Sequence, residues 1–560
     1  MTNMSGADAI IHGLKAEGVS VMFGIPGGAT MPLYDSLKDS GIRHILARHE
    51  QSAAHMADGF ARASGKVGVC SGTSGPGATN LLTGIATAYL DSYPVVAITG
   101  QVARPFLATD AFQEVDTVGI FNPVVKYSFQ PLTAAEIPMA IKSAFYIAST
   151  GRTGPVLVDV PKDVQMESAD MDFSGKVDIK GYNPYIVPDS MDVERAAEML
   201  LAAERPVILL GGGAIKANIT PTVLAMAELL MVPVASTLMG KGAIPEDHFL
   251  STGPVGMHGT YHANTLIMES DLVVNIGGRF SDRTTMKVDE FTKERKMIQM
   301  DIDPTEAGKN IKNAHFIIGD LSTSVGMLYE AVKRRVSSRK ETPWYRKMKE
   351  LKSEYDGKVF QNDGPFSSPH IVKKIRELLP ADAIVTTDVG QVQMWGELFY
   401  KVLKPRTYLT SGGLGTMGFG LPAALGAKVA KPDVPVVVLA GDGSFAMTNN
   451  SLATSIMEKI PVVVCIFNNS NLGMISQWQR VVYGGRYSAS WLGESPNFSK
   501  LAQSYGAEGI RVNSMDDFEK SFKEALGREV TTVIDLEISP SENVYPFVPS
   551  GNSLKEMLTK

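Results

Sequence analysis

Two cysteines in 560 residues, Cys70 and Cys465, exclude a disulfide framework or a thiolate metal cluster and fit a reducing compartment. Both lie in apolar segments and read as buried bystander thiols. Excess charge is also scarce: 53 Lys and Arg face 59 Asp and Glu, for a net charge of −6. Neither nucleic acid nor an anionic membrane is an expected partner. No apolar run approaches the roughly 18 residues that cross a bilayer. The start, MTNMSGADAIIHGL, has neither a secretory pattern nor an Arg/Ser-rich transit pattern, so a cytoplasmic protein is expected. The densest basic stretch, KRRVSSRKETPWYRKMKELK at 333–352, reads as a solvated linker helix.

What the chain has in quantity is short β-branched runs alternating with helix-sized segments. Examples are VSVMFGI, KVGVCSG, PVVAITG, GPVLVDVP, PVILLGG, LVVNIGG, AIVTTDVG, PVVVLAG and TTVIDLEI. Continuous apolar runs of this length predict strands buried on both faces of parallel sheets. Quieter stretches at 167–190 and 333–366 divide the chain. The expected architecture is α/β, three doubly wound domains at about 1–165, 190–330 and 365–535, followed by a tail, 536–560, containing VYPFVPSGNSL.

Most of these runs end in Gly, Asp, Asn or Thr, and ligands of open α/β sheets gather at such ends. Two ends stand out: PVVVLAG stops at Asp442-Gly443, and PVVVCIF stops at Asn468-Asn469, one helical crossover later. A right-handed parallel crossover sets such ends side by side. A carboxylate and an amide carbonyl there make a hard-oxygen site for Mg²⁺, and Gly441 and Gly443 let backbone N–H groups approach phosphate oxygens. A bare GDG is more often a structural turn; the paired ends are far more specific. In the middle domain Gly211–Gly213 follow a strand and Asp301 ends a later one, a weak nucleotide-site signature. Glu50, in RHEQSAAHMADGFAR, alone reads as an ordinary helix-start acid.

GDG followed by NN is the pattern of the thiamine-diphosphate enzymes. GDGSFAMT, NNSNLGMISQWQ, SGGLGTMGFGLPAALGA, FGIPGGATMPLYD, RHEQSAAHMADGFARASGKVGV, TDAFQE, GRTGPVLVDVPKDV and GGRFSDR closely resemble the catalytic subunit of acetohydroxyacid (acetolactate) synthases, over nearly the whole chain. The resemblance implies Mg²⁺ on Asp442, Asn469 and the main-chain carbonyl of Asn471. It implies thiamine diphosphate against Val389, Gly390, Gln391, Gly415, Met417, Gly441, Gly443, Ser444 and Met447, the last as the wedge that bends the cofactor. Glu50 would bond N1′ of the aminopyrimidine. Val392 departs from the usual His beside Gln391, and TNNSL departs from the usual polar-Glu-Leu run after Met447.

The same resemblance implies FAD against Arg152, Gly211, Gly212, Gly213, Thr237, Leu238, Met257, His258, Gly277, Arg279, Arg283, Asp301, Ile302 and Asp320. The catabolic, FAD-free synthases lack a segment such as RFSDR, which here has Ser281 for the commoner Asp. Substrate positions would be Gly28, Phe112, Gln113, Lys162, Arg283, Met474 and Trp478, with Glu50, Gln113 and Lys162 in catalysis. Arg283 suits a 2-ketoacid carboxylate. The implied reaction decarboxylates pyruvate and transfers the hydroxyethyl unit to pyruvate or 2-ketobutyrate, in branched-chain amino-acid synthesis. The implied assembly is a homodimer, or a dimer of dimers, with sites at the interface and a possible small regulatory subunit. Pyruvate oxidase, glyoxylate carboligase and a non-catalytic scaffold of the same fold are the alternatives.

Overall fold

The computed structural model describes residues 2–338, 341–356, 364–494 and 496–559. Three six-stranded sheets, parallel throughout, carry helices on both faces. The first runs Arg43–Leu46, Val21–Gly24, Gly68–Gly72, Val95–Gln101, Val156–Pro161, Tyr127–Phe129. The second runs Ser251–Pro254, Val234–Ser236, Pro206–Leu210, Leu272–Ile276, Lys296–Asp301, His315–Ile318. The third runs Tyr408–Thr410, Ile384–Thr387, Val436–Gly441, Val463–Asn468, Thr532–Glu537, Glu508–Val512. Counted in chain order within each domain, the first and third sheets share one order, 2-1-3-4-6-5, while the second is 3-2-1-4-5-6. An antiparallel pair, Thr2–Ser5 with Ser168–Met171, ties the first domain's two ends together.

The central strands are apolar end to end because both faces are covered: Val436–Ala440 and Val464–Ile466 are essentially solvent-free. The first and third domains share one core cluster, which runs through the helices Glu50–Ser64 and Gly420–Ala430. The first of these helices starts where His49 Nδ1 accepts the Gln51 N–H, and it ends on Gly65 in the left-handed conformation. Gly59 on this helix and Gly426 on the other let the two main chains approach closely. A Cβ on Gly59 would lie 2.1 Å from the Ala423 carbonyl oxygen, and one on Gly426 would lie 1.9 Å from that of Met56.

Two expectations are corrected. The segment between Asp442 and Asn469 folds as two short helices, Asp442–Thr448 and Ser451–Met457, and not as one. The basic stretch 333–352 is not a solvated linker. Its helix, Pro343–Asp356, buries Trp344, Met348 and Leu351 against the second domain, and Trp344 Nε1 donates to the Pro206 carbonyl at 3.0 Å. Residues 339–340 of that stretch, and 357–363 before the third domain, lie outside the described residues. The tail returns to the second domain: Val548 N–H donates to the Met257 carbonyl, and Phe547 stacks on His258. Among the described residues no helix is long and apolar enough to cross a membrane.

Candidate active site

The third sheet reverses strand order between Ile384–Thr387 and Val436–Gly441, the place where open sheets leave a crevice. The loops after these strands, Val389–Gln391 and Gly441–Ser444, face one another there, and the Ser444 hydroxyl donates to the Val389 carbonyl at 2.9 Å. The next strand, paired with Val436–Gly441 up to Gly441–Phe467, ends at Asn468. Asp442 and Asn469 are therefore neighbours across adjacent strand ends, as the sequence predicts. Asn469 Oδ1 accepts the Asn471 N–H at 3.0 Å, which curls that loop back toward the crevice.

A cavity of about 860 Å³ opens over these ends. Its floor is Val389–Gln391, Gly441–Ser444, Asn469 and Asn471. Gly415, Met417, Met474 and Trp478 form one wall; the second domain supplies the other with Thr237, Leu238, Met257, His258, Gly277, Arg279 and Arg283. Arg283 stands exposed, 3.7 Å from Asp282. The Trp478 Nε1 is buried with no hydrogen-bond partner among the described residues.

A second cavity, about 640 Å³, continues along the second sheet past Gly212 and Gly213 to Asp301, Ile302 and Asp320. Arg152, Lys216 and Arg279 line it together with Asp91, Asp301, Glu306 and Asp320. Arg152 is itself held by Asp303 and Glu306, at 3.0 and 2.8 Å. Burial pushes the Asp301 carboxyl up to about 6. Asp320 caps the helix Leu321–Lys333, accepting the Thr323 N–H. Gly211 lies outside both cavities: a Cβ there would meet the Gly277 carbonyl oxygen at 2.2 Å, so its bareness serves strand-to-loop packing.

Glu50, Gly28, Phe112, Gln113, Lys162 and Met447 also lie outside both cavities. The first-domain members gather at their own sheet edge. Glu50 is buried, and its Oε2 accepts the Asn80 Nδ2–H at 2.9 Å. Gly77 packs beside the other carboxylate oxygen, and Gly75 packs against Gln113. Phe112 is 89% exposed and Met447 57%.

Three family models match in order: the N-terminal TPP binding domain of thiamine pyrophosphate enzymes at 4–120, the central domain at 193–328 and the C-terminal TPP binding domain at 388–536. Curated relatives match end to end. A probable acetolactate synthase large subunit of Methanocaldococcus jannaschii is 49% identical over 99% of this chain and 95% of its own. The acetolactate synthase isozyme 2 large subunit of Escherichia coli is 42% identical over all of both chains. The Haemophilus influenzae large subunit is 42% identical over 100% and 98%. The chain belongs to the acetolactate synthase large subunits.

Like other members of the thiamine pyrophosphate enzymes, this synthase large subunit is an enzyme. The structure adds residues that sequence reasoning missed. Asp388 sits at the end of TTDVG with its carboxylate under the Gly418 N–H, at 2.8 Å, and burial pushes it up to about 6; an acid at a strand end was the available signal. Gln477 accepts from Gln391 Nε2 at 2.9 Å and from the Val544 N–H, joining the loop Val389–Gln391 to the tail. Asn80 carries no local signal. Val392, where the family's usual His is absent, packs into the third domain's core.

Proposed function

We propose that this large subunit decarboxylates pyruvate and transfers the two-carbon unit to a second pyruvate or to 2-ketobutyrate. The products are 2-acetolactate and 2-aceto-2-hydroxybutyrate, for branched-chain amino-acid synthesis. The observation that carries the reading is the Asp442–Asn469 pair over a glycine cradle. Among the described residues, a Cβ at Gly390, Gly415 or Gly441 would meet no heavy atom within 4 Å beyond its own chain neighbours, so these backbones face open space that a cofactor fits. One carboxylate with amide and carbonyl oxygens suits Mg²⁺.

Backbone N–H groups around Gly390 and Gly443 would hold the diphosphate, and Asp442, Asn469 and the Asn471 carbonyl the cation. Thiamine diphosphate supplies the electron sink for decarboxylation. Glu50 exchanges a proton at N1′ of the aminopyrimidine, and Asn80 holds its carboxylate in place. Arg283 grips the ketoacid carboxylate, with Met474 and Trp478 walling the acceptor. FAD would lie along the second cavity, its diphosphate near Arg152 and Arg279, and it need not change redox state.

The Glu50 edge and the Asp442 crevice are separate half-sites within one chain. Two copies pairing head to tail would set Glu50, Gly28, Phe112, Gln113 and Lys162 of one over the crevice of the other, covering Phe112 and Met447. A small regulatory subunit and a cytoplasmic setting complete the reading. The test is product analysis with pyruvate, thiamine diphosphate, Mg²⁺ and FAD, with and without 2-ketobutyrate, under anaerobic absorbance monitoring. Acetolactate with the flavin still oxidised is expected. Flavin bleaching matched to acetate would make the chain an oxidase, and absence of thiamine-dependent CO₂ release would make it a scaffold.

A further inference from the structure

The turn Leu90-Asp91-Ser92 ends the helix Pro76–Leu90 of the first domain, and both other domains hold it. Arg62 is buried, and its Nη2 donates to Asp91 Oδ2 at 2.8 Å. The same guanidinium binds both Asp58 oxygens, at 2.9 and 2.8 Å, and the Thr410 carbonyl at 2.8 Å. The rings of Tyr93 and Phe419 flank it. Asp91 thus presents a fixed carboxylate to the third domain. Its oxygens accept the N–H groups of Gly413, at 2.7 Å, and Gly412, at 3.3 Å. Four residues back on the same helix, Thr87 shares a 2.7 Å hydroxyl bond with Thr416. The loop so gripped, 411–416, contains Gly415 and leads directly to Met417, both on the wall of the first cavity.

The other side of the turn belongs to the second cavity. Lys216 Nζ donates to the Asp91 carbonyl at 2.8 Å, and Arg279 Nη1 donates to the Leu90 carbonyl at 2.7 Å. Lys216 and Arg279 line that cavity beside Arg152. Burial, reinforced by Arg62, Arg279 and Arg152 and opposed by Asp91, holds the Lys216 amine down at about 7. An anion bound beside Lys216, Arg279 and Arg152 would favour the charged form of the amine. A charge-assisted bond to the Asp91 carbonyl is roughly twice as strong as a neutral one.

We propose that Asp91, locked by Arg62, is a positioning residue that couples the two cavities. An anionic dinucleotide in the second cavity stiffens the Asp91 turn, the turn sets the loop that carries Gly415, and each cofactor therefore tightens binding of the other. The inference rests on the reading of the second cavity as a flavin site.

Thermodynamic reciprocity supplies the test. The full chain is titrated with Mg²⁺–thiamine diphosphate, with and without FAD, and with FAD, with and without Mg²⁺–thiamine diphosphate. Both ratios of Kd are expected to agree, at about fivefold or more. Asp91→Asn keeps the side-chain volume and one acceptor oxygen but removes the charge that Arg62 holds. It is expected to bring the ratio below about twofold while FAD still binds. A merely structural role would weaken both affinities and leave the ratio alone. Thr87→Val removes only the Thr416 tether, is expected to lower the ratio too, and decides the matter if Asp91→Asn does not fold. A parent that binds FAD with a ratio below twofold overturns the coupling and leaves the flavin reading standing. A parent that binds no FAD overturns both, and variants that keep the parental ratio overturn the role of Asp91.

Discussion

Replacing Gly426 by alanine would place a methyl carbon 1.9 Å from the Met56 carbonyl oxygen and 2.9 Å from the Phe60 nitrogen. Carbon–oxygen contacts between main chains settle at about 3.3–3.6 Å, so the helices Gly420–Ala430 and Glu50–Ser64 would have to part by about 1.4 Å. No rotamer change relieves the clash, because both sides are main chain. Overpacking of this kind costs about 1–3 kcal/mol, against a gain of about 0.5–1 kcal/mol for alanine over glycine within a helix. The net expectation is a loss of about 1 kcal/mol. Gly326, inside the helix Leu321–Lys333, has no heavy atom within 4 Å of its would-be Cβ, so the same substitution there should gain the full helix term. Urea unfolding of both variants compares the midpoints at unchanged slope. The helix that must move also presents Glu50, so Gly426→Ala should lose activity along with stability and Gly326→Ala should not. Equal or raised stability in Gly426→Ala, or a loss in Gly326→Ala, would refute the reasoning.

Glu50→Gln should fold and retain cofactor yet lose about 10²–10⁴ in rate, since an amide accepts from Asn80 but cannot exchange the N1′ proton; over half the parental C2–H exchange rate would exclude the role. Trp478→Leu should keep acetolactate formation but lose most of any preference for 2-ketobutyrate, whose extra methylene is worth about 1–3 kcal/mol in an apolar pocket. An unchanged product ratio at a uniformly lower rate would assign the indole to packing. His55 lies fully buried against Phe419 with neither ring nitrogen bonded, and burial lowers its pKa to about 3. A folded value below the unfolded one near 6.5 means stability is lost as pH falls through 6.5. The stability difference between parent and His55→Phe should therefore shift by about 1.4 kcal/mol from pH 8 to pH 5.5, in the variant's favour; a pH-invariant difference counts against it.

The strands legible in the sequence are the interior ones, where cover on both faces demands continuous apolar residues. Those that escaped, such as Arg43–Leu46, Tyr127–Phe129, His315–Ile318 and Glu508–Val512, are mostly sheet edges, short and partly exposed. Asp442 and Asn469 were legible because adjacent parallel strands bring their ends together by topology alone. The grip of Asn80 on Glu50 and of Arg62 on Thr410 was not, because it depends on how separate elements of the chain pack together. The basic segment misled for another reason. Its charges are real, but Trp344, Met348 and Leu351 recur at helical spacing beneath them. The shared strand order of the first and third domains is likewise visible only in three dimensions. Their corresponding loops carry the two proposed half-sites: the loop after the second strand leads to Glu50 in one and to Gly415 in the other.

Because Glu50 sits outside the crevice that Asp442 lines in its own chain, damage to the two proposed half-sites should behave as separate genetic functions. On the proposed pairing, a chain with Glu50→Gln has an intact crevice, and a chain with Asp442→Ala has an intact acid. Each is inactive as a homodimer. When the two are produced together, a mixed pair contains one site built wholly from undamaged halves and one built wholly from damaged ones. Random pairing makes half the dimers mixed, so about a quarter of parental activity should return. The same two substitutions on a single chain, produced in equal amount alongside the parent, would leave mixed pairs with no intact site, so only the parental homodimers, about a quarter of the dimers, would be active.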